Sequence, residues 1–183
     1  MEDKMGEVKA ITTNETPRIY VACLAAYNCG YLHGRWIDAA QDAWAIYDEV
    51  KAMLAASPIA GSEEWAIHDY EGFGTIRISE YASFDHVSGL AAFIAEHGEL
   101  GSAVLDYHNG DLEEARETLE DRYLGSYASL ADYAQEVTED STAIPQRLAY
   151  YIDYEAMARD AELSGDVFTV QTAWDSVHVF VGC

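Results

Sequence analysis

The chain has 183 residues, of which 50% are apolar and 12% aromatic, and its 33 Asp and Glu against 10 Lys and Arg give a formal net charge of −23. The apolar share is enough for a packed interior and excludes a wholly disordered chain. The charge excludes nucleic acid and anionic membrane as partners, because phosphate binding runs on Lys and Arg, and it leaves a basic surface as the natural complement.

Residues 1–16 are polar and aperiodic and read as a flexible tail, with no apolar core of signal-peptide length. Arg18–Leu24 has strand character, Asn28-Cys29-Gly30 supplies turn chemistry, and Tyr31–Ile37 is expected to return as a second strand. A helix is expected from Asp38, with Asp38 as N-cap and Gln41 three residues on. Its inward face would hold Ala40, Trp44, Tyr47, Val50 or Lys51, and Leu54, with Ser57-Pro58 as the stop. Trp65–Tyr70 and Phe73–Ser79 read as strands joined at Glu71-Gly72, which completes an N-terminal α+β domain over 17–80.

A helical middle domain is expected over 81–122. Phe84, Val87, Leu90, Ala91 and Ile94 form one helix face closed by Gly98, and a short helix follows over Leu100–Tyr107. Asn109-Gly110 ends it. Asp111 then caps a third helix, with Glu114 completing a capping box and Leu112, Ala115, Leu119 and Tyr123 inward. In the C-terminal α+β domain, 123–183, Ser129 caps a helix with Leu130, Tyr133, Ala134 and Val137 inward, and a second helix covers about 146–162. Val167–Gln171 and Val177–Val181 read as strands, the latter alternating Val177, Val179 and Val181 against His178 and Phe180. The fold class is α+β, an elongated chain of three small domains. Modules this small are weak as independent cores, so support from neighbouring modules or a dimer partner is expected.

Cys23, Cys29 and Cys183 form no C-x-x-C pair, which fits a reducing cytoplasm. No apolar run reaches the roughly 18 residues of a membrane span. The six histidines show neither an H-E-x-x-H pattern nor cysteines at ligand spacing, so no metal or other cofactor is expected. Nucleophile and phosphate-loop motifs are lacking too, so no catalytic residues are assigned and no enzyme is expected. His33-Gly34-Arg35 is read as a turn or strand end rather than a site. The 13 Tyr, 4 Trp and 5 Phe lack the Lys and Arg of a base-stacking surface and are read as core and interface residues.

The acids are patterned. Asp132, Glu136 and Glu139 or Asp140 recur at i, i+4 and i+7 or i+8, one face of a helix. Glu113, Glu117 and Glu120 or Asp121 do the same on the preceding helix, with Glu114 beside them, and Asp38, Asp42 and Glu49 form a sparser set. Like charges at i, i+4 destabilise a helix by roughly 0.2–0.5 kcal/mol per pair, so repeating them with Arg116 and Arg122 as the only cations between 111 and 146 argues for a function that needs them. The blander alternatives are a solubilising surface or adaptation to high salt. As a duplex carries one charge per about 1.7 Å of axis, 23 charges correspond to about 39 Å of DNA, and a carboxylate, like a phosphate, takes paired hydrogen bonds from Arg. These twelve residues are the candidate DNA-mimic surface.

Long segments in order, TPRIYVACLAAYNCGYLHGRWIDA (16–39), EEWAIHDYEGFG (63–74), EARETLEDRYLGSYASLADYAQEVTED (114–140), YYIDYEAMARDAELSGDVFTV (150–170) and VHVF (177–180), resemble the ArdA-type antirestriction proteins of mobile genetic elements. The resemblance implies a curved, three-domain α+β homodimer that imitates bent B-DNA. It also implies inhibition of type I restriction–modification enzymes through their methyltransferase core, with 126–140 matching the family's acidic motif. Two alternatives from other classes are a small hydrolase with an acidic pocket and an acidic adaptor or inhibitor of another basic DNA-binding protein.

Overall fold

The computed structural model describes residues 16–182, so the tail expected over 1–16 and Cys183 lie outside the described residues except for Thr16. The chain separates into two compact units, Met1–Ser102 and Ala103–Cys183.

In the first unit, Ile19 and Val21 repeat at the two-residue period of a strand and are fully buried, which makes β1 (Arg18–Cys23) the centre of its sheet. β1 lies between β2 (Gly34–Asp38) and β3 (Trp65–Glu71), antiparallel to both, with Ile19 opposite Ile37 and Tyr70. A short helix, α1 (Leu24–Asn28), follows β1 directly, capped by the Cys23 thiol. It offsets the chain, so pairing resumes only where Ala22 meets Gly34, and Tyr31–His33 are not strand.

The next helix, α2 (Ala43–Ala55), starts later than expected. Asp38 is committed to β2, paired opposite Arg18, and Asp42 is the N-cap instead, its carboxylate accepting from the Trp44 N–H at 2.8 Å. The buried face is Ile46, Val50 and Met53, rotated from the expected one; Tyr47 packs edge-on against Phe84 and Trp44 is 75% exposed. Phe73–Ser79 is not a strand either. Gly72 and Gly74 take positive φ, and a Cβ on Gly74 would lie 2.3 Å from the Ser102 hydroxyl, so the chain runs irregularly while still burying Phe73, Ile76 and Ile78.

α3 (Phe84–Tyr107) buries the expected face of Phe84, Val87, Leu90, Ala91 and Ile94. Gly98 (φ 59°, ψ −137°) breaks it, and a second helical stretch continues to Tyr107. Trp65 stacks on Phe84 at 4.3 Å, tying β3 to this helix.

The second unit contains α4 (Leu112–Asp121), β4 (Tyr123–Tyr127), α5 (Leu130–Ser141), a 3-10 turn (Ala149–Tyr151), α6 (Tyr154–Ser164), β5 (Val167–Ala173) and β6 (Ser176–Val181). Its sheet order is β4-β6-β5, all antiparallel. β4 is the unforeseen strand: Tyr123 opens it rather than closing the inward face of α4, and it is held by pairing to a segment some 50 residues later, Tyr123 opposite Phe180. The helix expected from 146 begins at Tyr154, where Asp153 accepts from the Ala156 N–H at 2.9 Å. Simple alternation fails in β6, since Val179 and Phe180 are both fully buried while Val181 is 44% exposed. Tyr107, Phe168 and Phe180 form a row of stacked rings at 4.6 and 5.1 Å, and Thr118 is buried with its hydroxyl 2.8 Å from His108 Nε2. Among the described residues, no helix is long and apolar enough to cross a membrane.

Candidate functional site

Sequence places 17 Asp and Glu against 4 Arg in the second unit, and two of its helices organise them. α4 starts where Asp111 Oδ1 accepts from the N–H groups of Glu113 (3.0 Å) and Glu114 (3.1 Å), satisfying two of the four donors a helix start leaves unpaired. The Asp111 N–H itself bonds to the His108 carbonyl. Ala115 and Thr118 point inward and are buried, which turns Glu113, Glu114, Glu117, Glu120 and Asp121 outward, all exposed. Glu113 and Glu114 face the positive end of the helix dipole, whereas Glu120 and Asp121 sit at the negative end with no base in the last turn. Arg122 pairs with Glu117. Among the described residues, Glu113, Glu114, Glu120 and Asp121 form no ion pair.

α5 is organised the same way. The Ser129 hydroxyl accepts from the Asp132 N–H at 3.2 Å and donates to the Asp132 carboxylate at 2.7 Å. Asp132, Glu136, Glu139 and Asp140 are exposed along one side. Two more of these carboxylates are held by neighbours: Tyr127 on β4 donates to Glu136 at 3.1 Å, and Gln135 donates to Glu139 at 2.8 Å. The Tyr127 hydroxyl is pushed above its ordinary value by desolvation and then by the Glu136 carboxylate; desolvation and then Glu139 do the same to Tyr154 on α6. Asp140 has no ion pair among the described residues.

Asp38, Asp42 and Glu49 are not one helical stripe. Asp38 ends β2, Asp42 caps α2, and Glu49 lies within α2, bridged to Arg35 at 3.1 Å and accepting from Gln41 at 2.8 Å. Sequence reasoning also passed over the exposed acids of α6, Glu155, Asp160 and Glu162, whose run Arg159 interrupts; Glu162 accepts from Thr169 at 2.9 Å. It equally passed over Tyr127 and Tyr154, whose roles depend on packing between elements. Among the described residues, no group of three or more His, Cys, Asp or Glu is placed to hold a metal ion.

Fold and surface together define an acidic, mixed α+β protein that holds its carboxylates outward on capped helices. The model of the ArdA antirestriction protein family matches residues 19–176, and the chain belongs to that family. No curated protein matches it.

Proposed function

We propose that this antirestriction protein acts as a B-DNA mimic, occupying the DNA-binding groove of a type I restriction–modification enzyme at its methyltransferase core and so protecting incoming mobile DNA in the cytoplasm. The observation that carries this reading is the α5 stripe. Its four carboxylates, Asp132 to Asp140, lie within eight residue steps, about 12 Å at 1.5 Å per residue, one charge per 3–4 Å, against about 3.4 Å per phosphate along one DNA strand. α4 repeats the spacing with five acids, and neither helix carries a base in its last turn. The role is inhibition by occlusion rather than catalysis.

Exposed apolar side chains in the second unit favour a homodimer as the inhibiting species. α5 has no buried residue, and Val137, Leu148, Tyr150, Tyr151, Met157 and Leu163 of this unit are exposed, Tyr150 at 89%. A homodimer covering these side chains supplies the burial that the unit lacks alone. In this reading the chain forms three modules, 17–80, 81–122 and 123–183.

The test is a competition between this protein and a DNA duplex for a purified type I methyltransferase core, at about 50 and about 200 mM salt. Counterion release predicts inhibition that weakens steeply as salt rises. Failure to displace DNA at either concentration would reject the mimic. Inhibition unchanged by salt would point to an apolar docking mode instead.

A further inference from the structure

A cleft in the first unit has no part in the carboxylate stripes. It has a volume of about 440 Å³ and is lined by Tyr27 of α1, Ile67, His68 and Tyr70 of β3, and Ile78 and Glu80 of the irregular segment that follows. A break in strand register builds it. Val21 pairs with Ile67 and Tyr20 with Asp69, which leaves His68 as the extra, unpaired residue of a β-bulge. A bulge re-aims a side chain; here the His68 ring meets Tyr27 edge-on at 4.8 Å, and its Nε2 lies 4.0 Å from Glu80 Oε1. A backbone hydrogen bond from the Ile67 N–H to the Glu80 carbonyl, 2.9 Å, fixes the far wall without using the Glu80 carboxylate.

The polar groups of this cleft have few partners. Among the described residues, the hydroxyls of Tyr27 and Tyr70 form no hydrogen bond, the Glu80 carboxylate has only the 4.0 Å contact with His68 Nε2, and no Lys or Arg lines the walls. Phenol and carboxylate oxygens together with aromatic rings favour a cation, and a planar guanidinium both stacks on rings and takes paired bonds to a carboxylate. We propose that this cleft is a receptor for one guanidinium group, the end of an Arg side chain presented by the bound partner. Only the source of that Arg rests on the DNA-mimic reading; the binding chemistry does not.

The experiment uses the full chain and no restriction enzyme, so its failure and that of the competition assay are separate results. N-acetyl-argininamide is titrated at constant ionic strength while the ring resonances of His68, Tyr27 and Tyr70 are followed by NMR. N-acetyl-citrullinamide, of the same shape without the charge, is the control. The expected result is a saturable shift confined to these rings, absent with the citrulline compound and roughly threefold to tenfold weaker in Glu80→Gln. Tyr27→Leu, which leaves the carboxylate in place, should weaken binding as well. Equal shifts with the citrulline compound, no saturation, or unchanged affinity in a folded Glu80→Gln protein would overturn the proposal.

Discussion

His178 is a residue whose chemistry the fold changes. It sits on the central strand of the second sheet, with the Tyr123 hydroxyl 3.0 Å from Nδ1 and the hydroxyls of Thr172 and Ser176 at 3.1 and 3.4 Å from Nε2. Burial lowers its pKa from the ordinary 6.5, so the neutral ring is the form the fold prefers. Above 6.5 the ring is neutral folded and unfolded, and its full contribution is present. As pH falls below 6.5 the unfolded chain takes up a proton that the folded chain resists, and stability is lost towards the folded pKa. Protonation elsewhere reduces the net negative charge and acts in the opposite direction, so the effect must be read as a difference. The urea midpoint of wild type minus that of His178→Gln should shrink between pH 7.5 and 5.5. A constant difference would mean that the ring titrates as it would in water. The composition shows six histidines; only the packing of Tyr123, Thr172 and Ser176 singles out this one.

At the scale of the element, α5 separates charge from stability. Replacing Asp132, Glu136, Glu139 and Asp140 by Asn, Gln, Gln and Asn keeps side-chain shape and removes repulsions worth roughly 0.2–0.5 kcal/mol for each pair a turn apart. The variant should therefore melt close to wild type, the relieved repulsion offsetting weakened bonds from Ser129 to Asp132, Tyr127 to Glu136 and Gln135 to Glu139, while its inhibition of restriction in vitro falls about tenfold or more. Inhibition left intact would show that the partner reads another surface. This stripe was legible in the sequence because helical spacing depends on the chain alone, and the caps Asp111 and Ser129 were legible for the same reason. β4 was not. Tyr123-Leu124-Gly125-Ser126-Tyr127 has no β-branched residue and contains a glycine, so its strand character comes from pairing with β6. Likewise the neutralisation of Glu49 by Arg35 joins α2 to β2, a contact that local pattern does not encode. Asp38 and Asp42 were equally good caps by residue type; strand pairing to Arg18 decided between them.

For the whole molecule, a net charge of −23 has opposite consequences for folding and for recognition. Ion pairs such as Arg18–Glu71 and Lys51–Asp48 are exposed, so they offset little of the repulsion. Raising salt from about 50 to about 500 mM shortens the screening length from over 10 Å to under 5 Å, comparable with the spacing of acids one helical turn apart. The free protein should thus melt higher as salt rises, over the same range in which its grip on a basic groove weakens. A halophile-like or merely solubilising surface shares the first trend and not the second, since it has no partner whose cations must be matched. Measuring melting temperature and inhibition on the same samples distinguishes the two. Rising stability with falling inhibition is the result expected of a fold that accepts repulsion within itself for attraction to its target, and inhibition that holds constant while stability climbs would assign the charge to solubility alone.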